Sequence, residues 1–470
     1  MNSTDIDFSS YLPEHAARLA ALAQSAPWGE VLADEARLAR LRETLLQPPA
    51  MPDPAALLKD TLLGLNGERV RERIAAGERD VETLAWELGQ WPEYWDGPPP
   101  PMSFVGIYLT LDCNAQPKCV YCNQQPVAGR LPMAEWETLV DELTSREGPK
   151  PYFSYTGGEP LTCGEALYGP RGLIRRAAER GAASNVNTNA LGLTPEVALA
   201  FVHAGTARLH ISLDSASEEV QDRLAGAPGR FRQFTTGIYN LQIAREVLGV
   251  DHPTVHINCV LTTENLFGYP DLVRFLLERK RVRTPGAEGA WRADPHYRDL
   301  GIHLIPVGGR ENDAIRPSAD EWERFLTATW DQAAAVWGEY QEARGIPEDQ
   351  RIGYNDYAFF ANPYLRVQYA GTLRDYAEAA AEGRPSTLGL GQRCLVAPTQ
   401  AFFLPDGTRH LCGGHAVTRP DFAGPAPIPD PSACRACPVA TLFLNQGAEA
   451  ALQEQARQWI VEVEGAPVVT

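Results

Sequence analysis

The sequence predicts an α/β protein whose centre is an open, partial (β/α)6 barrel of the TIM type. Six short runs rich in β-forming residues occur along the chain. Most are separated by amphipathic stretches long enough for a crossover helix, which indicates parallel strands. Six such units are fewer than the eight that close a full barrel. The 470-residue chain, with 44% hydrophobic and 22% charged residues, has an ordinary globular composition. A doubly wound open sheet is the alternative architecture.

Four successive regions are predicted. A helical N-terminal domain with a proline-rich linker precedes the barrel, a helical connector follows it, and a small cysteine-bearing module with a last helix comes after. Leucine spacing indicates the first helices, and four consecutive prolines after Gly97 mark the first boundary. The regions cover residues 1–101, 102–310, 311–393 and 394–470.

Local signals predict the separate elements. Ser318, with Glu321 three residues later, has the spacing of a capping box and predicts the start of a long helix. The segment 402–407 predicts a hairpin, and the amphipathic pattern over 441–463 predicts a last helix. The six strands are predicted over residues 103–111, 152–158, 184–190, 208–214, 254–262 and 301–307.

Composition and charge exclude several classes of partner. With 42 Lys and Arg against 60 Asp and Glu, the net charge of −18 would repel nucleic acid, so no nucleic-acid partner is expected. No run of 18 apolar residues and no signal-peptide pattern is found, so we expect no membrane partner and a cytoplasmic location. Nine unevenly spaced cysteines suit metal ligation in a reducing compartment better than disulfides.

Three cysteines lie directly after the first predicted strand. Cys113, Cys119 and Cys122 form a C-x5-C-x2-C pattern on one loop. Three thiolates can hold three irons of a four-iron cluster and leave the fourth open, because such clusters are ligated by cysteine sulfur. A zinc site is the alternative, but structural zinc takes four protein ligands, and this loop offers no fourth cysteine or histidine.

A second group of cysteines, Cys394, Cys412, Cys434 and Cys437, lies near the end of the sequence and finishes in a C-x2-C pair. From these residues alone, a zinc ribbon and an iron–sulfur cluster are equally suitable interpretations. If four thiolates bind a four-iron cluster, every iron has a protein ligand. Such a cluster favours electron transfer over direct binding of a substrate.

Segments at the ends of two predicted strands resemble those of the radical SAM superfamily. Tyr155-Thr156-Gly157-Gly158-Glu159-Pro160, at the end of the second strand, resembles the family's glycine-glycine-glutamate-proline segment. Ile211-Ser212-Leu213-Asp214, at the end of the fourth strand, is similar to the family's serine-leucine-aspartate strand end. The resemblance covers about residues 103–310. The family's usual cysteine spacing is C-x3-C-x2-C, so the present loop is two residues longer, and position 115 is alanine.

The resemblance implies a set of contacts with S-adenosylmethionine (SAM). The cofactor's amino group is expected at the Glu159 segment, its carboxylate at Ser212, and its adenine at Tyr121 and the backbone of the sixth strand. The complete expected set is Tyr121, Thr156, Gly157, Gly158, Glu159, Asn189, Ser212, Asn258, Ile305 and Val307.

The resemblance also implies two clusters and an electron path. A [4Fe-4S] cluster on the first cysteine loop would bind SAM at its open iron, and reductive cleavage would give methionine and a 5'-deoxyadenosyl radical. The second cysteine group resembles the Twitch type of auxiliary domain, a shortened relative of the SPASM domain, which implies a second [4Fe-4S] cluster. An external reductant such as flavodoxin or ferredoxin is the expected protein partner.

Alternation along the strands predicts a polar barrel interior. Because side chains two apart share one face of a strand, His210, Ser212 and Asp214 are expected to point together, and so are His256 and Asn258. A closed barrel is filled by Val, Ile and Leu, so a polar interior indicates a cavity for cofactor and polar substrate. Hydrogen bonding among these residues themselves is the alternative. The candidates for acid–base catalysis are Asp214, His210, His256 and Tyr155.

The predicted reaction is hydrogen abstraction from a carbon of a small polar metabolite, of the natural-product sugar or cyclitol type, with oxidation through the second cluster. A radical SAM maturase of a ribosomally made peptide is the alternative. The helical pattern of residues 1–96 disfavours it, because many such maturases carry a strand-rich winged-helix module. A zinc-binding scaffold or interaction protein is the alternative from another class. Cys163 and Cys259 are interpreted as inert thiols.

Overall fold

The fold is taken from a computed structural model that describes residues 6–91, 102–122, 124, 129–282, 290–307, 310–359, 377–378, 381–382, 394–410 and 439–464. At its centre is a sheet of nine strands. They are β1 (Phe104–Thr110), β2 (Tyr152–Gly157), β3 (Ser184–Thr188), β4 (Arg208–Ser212), β5 (Thr254–Leu261), β6 (Gly301–Pro306), β7 (Ala358–Phe359), β8 (Gln400–Phe403) and β9 (Arg409–His410).

The six predicted strands are all present and all parallel, and β1 to β6 lie side by side in chain order. A doubly wound sheet would reverse its order at a switch point, so that alternative is wrong. The sheet continues past β6 to the two-residue β7 and past β1 to β8 and β9, and within the described ranges it does not close. The prediction of an open, partial barrel is therefore confirmed.

Helices cover the outer face of the sheet. Leu209, Ile211 and Leu213 on β4 and its extension are fully buried there, as are Val255 and Ile257 on β5. The helices are α1 (Pro13–Ala23), α2 (Ala26–Ala33), α3 (Glu35–Glu43), α4 (Pro54–Ala75), α5 (Val81–Leu88), α6 (Met133–Ser145), α7 (Glu165–Tyr168), α8 (Leu173–Glu179), α9 (Pro195–His203), α10 (Glu218–Leu224), α11 (Arg230–Leu248), α12 (Tyr269–Leu277), α13 (Ala319–Arg324), α14 (Trp330–Ala343), α15 (Tyr354–Tyr357) and α16 (Val439–Glu464).

The predicted hairpin near residue 405 forms, and it extends the barrel sheet. Strand β8 pairs in parallel with β1, with Phe104 opposite Gln400, and β9 turns back antiparallel to β8. Gly106 on β1 lies against the ring of Phe402, where a Cβ would come within 2.5 Å of the ring. A glycine at this position therefore lets β8 seat directly on the first barrel strand.

The described part of the N-terminal region contributes to two different cores. Helices α1 to α3 pack on the barrel, where Trp28 Nε1 donates to Asn240 Oδ1 of α11 over 2.8 Å. Helices α4 and α5 pack instead with α16 around Leu58, Leu84 and Trp459. Helix α16 confirms the predicted last helix. The domain boundaries at residues 101, 310 and 393 remain a prediction.

The capping box that begins the helical connector is confirmed. Ser318 Oγ accepts from the backbone N–H of Glu321, and the Glu321 carboxylate accepts from the backbone N–H of Ser318. Helix α13 then continues through a π-helical turn at Phe325–Thr329 into α14. In the described part of the chain, no helix combines the length and the apolar character needed to cross a membrane.

A buried histidine holds α1 to the barrel. His15 lies between the rings of Tyr11 and Tyr239, and its Nε2 is 2.9 Å from the side-chain oxygen of Gln242 on α11. Burial lowers the pKa of His15 to about 4. The imidazole is therefore neutral in the folded protein at neutral pH.

Acidification is expected to destabilise the protein through His15. Between pH 6.5 and 4 the unfolded chain protonates this side chain and the folded chain does not, so the free energy of unfolding falls by up to about 3 kcal/mol. Urea unfolding at pH 7 and pH 4 measures the difference. The variant His15→Gln keeps a side-chain N–H donor and does not titrate, so it should lose this part of the pH dependence. An identical pH dependence in both proteins would contradict the assignment.

Candidate active site

The three cysteines of the first group lie on the loop that follows β1, at the carboxyl end of the sheet. Burial raises the pKa of the Cys119 thiol to about 12, and Asp214 and the other two thiols act in the same direction. Burial also raises the pKa of Cys113, with Glu159 and Cys122 contributing. Cys122 N donates to the carbonyl of Cys119 over 3.0 Å, so the second and third cysteines lie within one turn of the loop.

The loop is anchored along its length, including the part that exceeds the family spacing. Arg230 Nη2 donates to the carbonyl of Gln116 over 3.0 Å, and Val120 N donates to the carbonyl of Leu224 over 2.9 Å. At Gly226 a Cβ would come within 2.5 Å of the Lys118 carbonyl oxygen. The two additional residues are therefore accommodated against the segment that joins α10 to α11.

The donor set of this loop suits an iron–sulfur cluster. Cysteine thiolates are the ligands of such clusters, and iron binding removes the protons that burial favours here. Among the described residues, no three His, Cys, Asp or Glu side chains are grouped to share one metal ion. A four-iron cluster instead presents a separate iron to each thiolate, so its ligands lie farther apart than the ligands of a single metal ion.

Two glycines bring the end of β2 against the cysteine loop. Gly157 has φ +133°, and a Cβ there would overlap the carbonyl oxygen of Thr110. A Cβ on Gly158 would overlap the carbonyl oxygen of Asp112, the residue before Cys113. The segment therefore lacks side chains because the backbone of β1 and its loop lies against it.

Glu159 joins the ends of β2 and β3. Its carboxylate is fully buried and accepts from Thr188 Oγ1 (2.8 Å), from the backbone N–H of Asn189 (2.7 Å) and from that of Leu161 (3.0 Å). Burial raises the pKa of Glu159 to about 7, against the effect of these hydrogen bonds. The side chain is thus a positioning group, and it leaves the backbone of the segment as the part that can face a ligand.

Asn189 follows β3 and lies beside the cysteine loop. Its side-chain nitrogen donates to Asn114 Oδ1 over 2.8 Å and lies 3.5 Å from Cys113 Sγ. Its side-chain oxygen accepts from the backbone N–H of Leu191. The predicted residue Asn189 is therefore next to the first cysteine.

Asp214 holds the cysteine loop from the other side. Its carboxylate is 2% exposed and accepts from the hydroxyl of Tyr121 over 2.6 Å and from the backbone N–H of Val260 over 2.8 Å. Burial raises the pKa of Asp214 to about 6. Asp214 therefore positions Tyr121, the residue before Cys122, and its role as an acid–base group remains a prediction.

The prediction of Tyr155 as an acid–base group is wrong. Strand alternation places Tyr155 on the helix-facing side of β2, opposite to Ser154 and Thr156. The ring is fully buried and stacks with Phe153, and its hydroxyl donates to the carbonyl of Leu173 at the start of α8. Tyr155 therefore lies outside the barrel interior.

The inner face of the sheet carries three histidines on adjacent strands. The rings of His210 and His256 are 5.4 Å apart, and His303 lies on the neighbouring strand β6. Burial lowers the pKa of His210 to about 3 and that of His303 to about 4, and it holds the pKa of His256 well below its usual range. The three imidazoles are thus neutral at neutral pH.

Some polar groups of the interior hydrogen-bond to one another. His210 Nδ1 is 3.3 Å from Asn258 Oδ1, Asn258 Nδ2 donates to Asn187, and Asn187 donates to Ser154. For these four residues, the alternative that interior polar groups hydrogen-bond to one another is therefore correct. Ser212, in register with Asn258, is half-buried on the same face. The inner face is polar, as alternation predicts.

The last predicted SAM contacts lie on and after β6. Ile305 is half-buried on the same face as His303, opposite Val260 of β5. Val307 is 4% exposed, and its backbone N–H donates to the carbonyl of Leu261. The backbone N–H of Val307 is therefore engaged by β5. A predicted contact of SAM with Val307 must involve other atoms of this residue.

The second cysteine group is described only at its first member. Cys394 is half-buried beside the core formed by α4, α5 and α16. Cys412, Cys434 and Cys437 lie outside the described residues, so the auxiliary cluster remains a prediction. Cys259 is buried, and Cys163 is half-buried with Arg130 Nη2 3.0 Å from its sulfur.

Several residues that support the site were not identified from the sequence. Gln124 Nε2 donates to the carbonyl of Gly157 over 2.7 Å, and Asn312 Nδ2 donates to the carbonyl of Tyr121 over 3.1 Å. Gln124 lies 33 residues from Gly157 in the sequence, and Asn312 lies 191 residues from Tyr121, so no local pattern indicates either contact. Arg208 was also missed, although its two-residue spacing from His210 places it on the same face.

Comparison with known proteins agrees with this geometry. Residues 107–276 match the model of the Radical SAM superfamily. That interval includes the cysteine loop, the Glu159 segment and Asp214. Residues 107–276 are therefore similar to a superfamily of enzymes.

Two curated relatives are similar to part of this chain. The chain is 33% identical over 223 residues to the AdoMet-dependent heme synthase of Methanosarcina barkeri, which covers 46% of this chain and 55% of the relative. It is 29% identical over 177 residues to the PqqA peptide cyclase of Rhodopseudomonas palustris, which covers 37% of this chain and 43% of the relative. The chain thus spans about half the length of the curated relatives it matches.

Two solved structures are also similar. Native anSMEcpe with bound AdoMet and Kp18Cys peptide has a TM-score of 0.46 and 14% identity, over 76% of this chain and 84% of that one. Streptococcus suis SuiB bound to precursor peptide SuiA has a TM-score of 0.44 and 15% identity, over 71% of this chain and 66% of that one.

Proposed function

We propose that the protein is a radical SAM enzyme that cleaves SAM reductively and removes a hydrogen atom from a carbon of a small polar metabolite. One observation supports this proposal above the others. The three-cysteine loop, the glycine segment braced by Glu159 and the polar inner face all lie on the same parallel strands. Active sites of such sheets lie at the carboxyl ends of the strands, where the loop and the braced segment are found.

Cys113, Cys119 and Cys122 would hold a [4Fe-4S] cluster. When bound, that cluster would supply the electron for reductive cleavage of SAM. The chain itself fixes the position of the cysteine loop at two sides, through Gly158 against Asp112 and through Asp214 on Tyr121. Rigid ligands are what a precise cofactor geometry requires.

The proposed SAM contacts surround this loop. The backbone of Gly157 and Gly158 with Thr156 would face the amino group, and Ser212 the carboxylate. Tyr121 would face the adenine with β6. The remaining proposed contacts are Asn189, Asn258, Ile305 and Val307.

We further propose that a second [4Fe-4S] cluster on Cys394, Cys412, Cys434 and Cys437 takes up an electron from the substrate radical, so that the net reaction is an oxidation. A flavodoxin or ferredoxin would reduce the first cluster. His210 and His256 face the interior, and together with Asp214 they are the proposed candidates for proton transfer.

A peptide maturase is the second candidate function, because one relative is named a PqqA peptide cyclase. The described part of residues 1–91 is helical and contains no strand, which supports the small-metabolite proposal. Incubation of the reduced enzyme with a cyclitol panel and with candidate precursor peptides, followed by mass spectrometry, distinguishes the two. The true substrate class should increase deoxyadenosine release, and its product should have a lower mass because hydrogen has been removed.

The radical SAM proposal is tested with anaerobically purified protein. About four irons per chain are expected for the first cluster, or about eight with both clusters. Dithionite and SAM should yield methionine and 5'-deoxyadenosine in equal amounts. Colourless protein that contains zinc and does not bind SAM would overturn the proposal.

A further inference from the structure

A cavity lies at the opposite end of the barrel from the cysteine loop. It has a volume of about 580 Å³, within the range of small-ligand sites. Arg208 and Thr254, the first residues of β4 and β5, line it, and it reaches His256 on the inner face of the sheet. The cavity therefore lies at the amino ends of the strands and reaches the inner face of the sheet at His256.

Three arginines line this cavity without a carboxylate partner among the described residues. Arg208 Nε is 3.4 Å from Thr254 Oγ1, and Arg292 Nη2 donates to the carbonyl of Arg351. Arg298 is exposed in the cavity wall. The described part of the chain contains no ion pair for any of the three. A half-buried guanidinium without an anion is a binding site for one.

The acidic residues of the cavity wall are already engaged by the protein. Asp251 accepts from Arg281 Nη1 over 2.5 Å and lies 3.0 Å from His296 Nε2. Asp294 Oδ1 accepts from the backbone N–H of His296 over 2.8 Å. The arginines therefore leave the cavity with an excess of positive charge. This contrasts with the net charge of −18 of the whole chain.

Arg208 connects this cavity with the proposed reaction site. Side chains two apart share a face, so Arg208, His210 and Ser212 form one row along the inside of β4. Four residues of parallel strand span about 13 Å from Arg208 to Ser212. A small metabolite with an anionic group at Arg208 would extend past His210 toward the SAM end of the barrel.

We propose that this cavity is an anion-binding subsite for the substrate, in which the guanidinium of Arg208 binds a carboxylate or phosphate group. The proposal rests on the proposed function in assigning the anion to the substrate. Arg292 and Arg298 would attract the anion at the entrance. The substrate class is thus an anionic small metabolite rather than an uncharged sugar.

Isothermal titration of the full-length, anaerobically purified protein tests the proposal. Sodium succinate and inorganic phosphate are the two probes, and uncharged succinamide is the matched control ligand. At least one anion should bind, and Arg208→Gln should weaken its binding by at least about tenfold, since a charge-assisted hydrogen bond contributes about 1.5–3 kcal/mol. Arg208→Lys keeps the charge and should weaken binding less than Arg208→Gln. Tighter binding of succinate would assign a carboxylate, and tighter binding of phosphate a phosphate ester.

Arg274→Gln is the matched control variant. Arg274 is an exposed arginine on α12 that pairs with Asp271 at 3.6 Å, so its removal should leave anion binding within about twofold of the unaltered protein. The proposal is overturned if neither anion binds, if Arg208→Gln binds as tightly as Arg274→Gln, or if succinamide binds as well as succinate. Tighter binding of tetraglutamate than of succinate would overturn the small-metabolite part.

The titration is independent of radical chemistry. If the protein binds anions at Arg208 but does not cleave SAM, the proposed function fails and the subsite stands. If it cleaves SAM but binds neither anion, only the subsite fails. Circular dichroism of Arg208→Gln and Arg208→Lys confirms that both variants are folded.

Discussion

Replacement of Cys113, Cys119 or Cys122 by serine is expected to remove the first cluster and to lower SAM cleavage by at least about a thousandfold. Each thiolate binds one iron, so the loss of any one leaves the cluster with two protein ligands. Serine keeps the size of the side chain, and the raised pKa of Cys119 shows that this site favours the neutral form in the absence of metal. The apo fold should therefore persist while iron binding is lost.

Iron analysis and deoxyadenosine release measure the effect. Cys163→Ser is the matched control, because Cys163 is also a half-buried cysteine near the Glu159 segment but lies outside the loop. It should keep both iron and cleavage. If a second cluster is present, the three loop variants should each retain about four irons. Normal cleavage by any loop variant would disprove its role as a ligand.

Gly158→Ala is expected to have a large effect, although it adds only one methyl group. The new Cβ would overlap the carbonyl oxygen of Asp112, which also accepts the backbone N–H of Glu159 over 2.8 Å. The clash is with backbone, which no side-chain rotation relieves, so the loop must move at the residue before Cys113. We expect iron content at the loop to fall by more than half and SAM cleavage by about a hundredfold or more.

Gly268→Ala is the control for this prediction. Gly268 has an ordinary φ of −84°, and no atom lies within 4 Å of a Cβ built on it. It should retain iron and activity. Thermal unfolding of apo Gly158→Ala separates the two possible effects, because displacement of the loop should cost about 1–3 kcal/mol without loss of the barrel. Full iron content with normal cleavage would show that the loop does not depend on this close contact.

The cysteine loop is held by groups from four different parts of the chain. Gly158 comes from the end of β2, Asp214 from the end of β4, Asn312 from the segment after β6, and Arg230 from α11. Protein groups alone make each of these contacts. Changes outside the cysteines should therefore affect the position of the loop and, through it, cluster binding.

The hairpin β8–β9 gives the region after the barrel a structural role in the barrel itself. Its pairing with β1 extends the sheet at the strand that leads into the cysteine loop. Cys394 precedes this hairpin closely in sequence and lies beside the core of α4, α5 and α16. Helices α4, α5 and α16 therefore form one core beside Cys394.

Much of the fold follows from the sequence by itself. The six strands lie where β-rich runs predict them, and period-two alternation correctly separates buried Ile211 from inward-facing His210. The cysteine spacing and the Glu159 segment identify the domain, because both depend on residues adjacent in the chain. Local patterns determine these features, since each needs only neighbouring residues to form.

Only the tertiary structure decides what each polar side chain does. In the sequence, Asp214 and Glu159 are candidates for catalysis and ligand binding. Their hydrogen-bond partners Tyr121 and Thr188 lie 93 and 29 residues away, and both carboxylates are buried in the fold. Tyr155 belongs to the wrong face of its strand for catalysis. Arg208 has no acidic partner within the described residues, because the nearby Asp251 pairs with Arg281 instead. Burial and charge pairing depend on contacts between distant segments, so no local pattern could have predicted them.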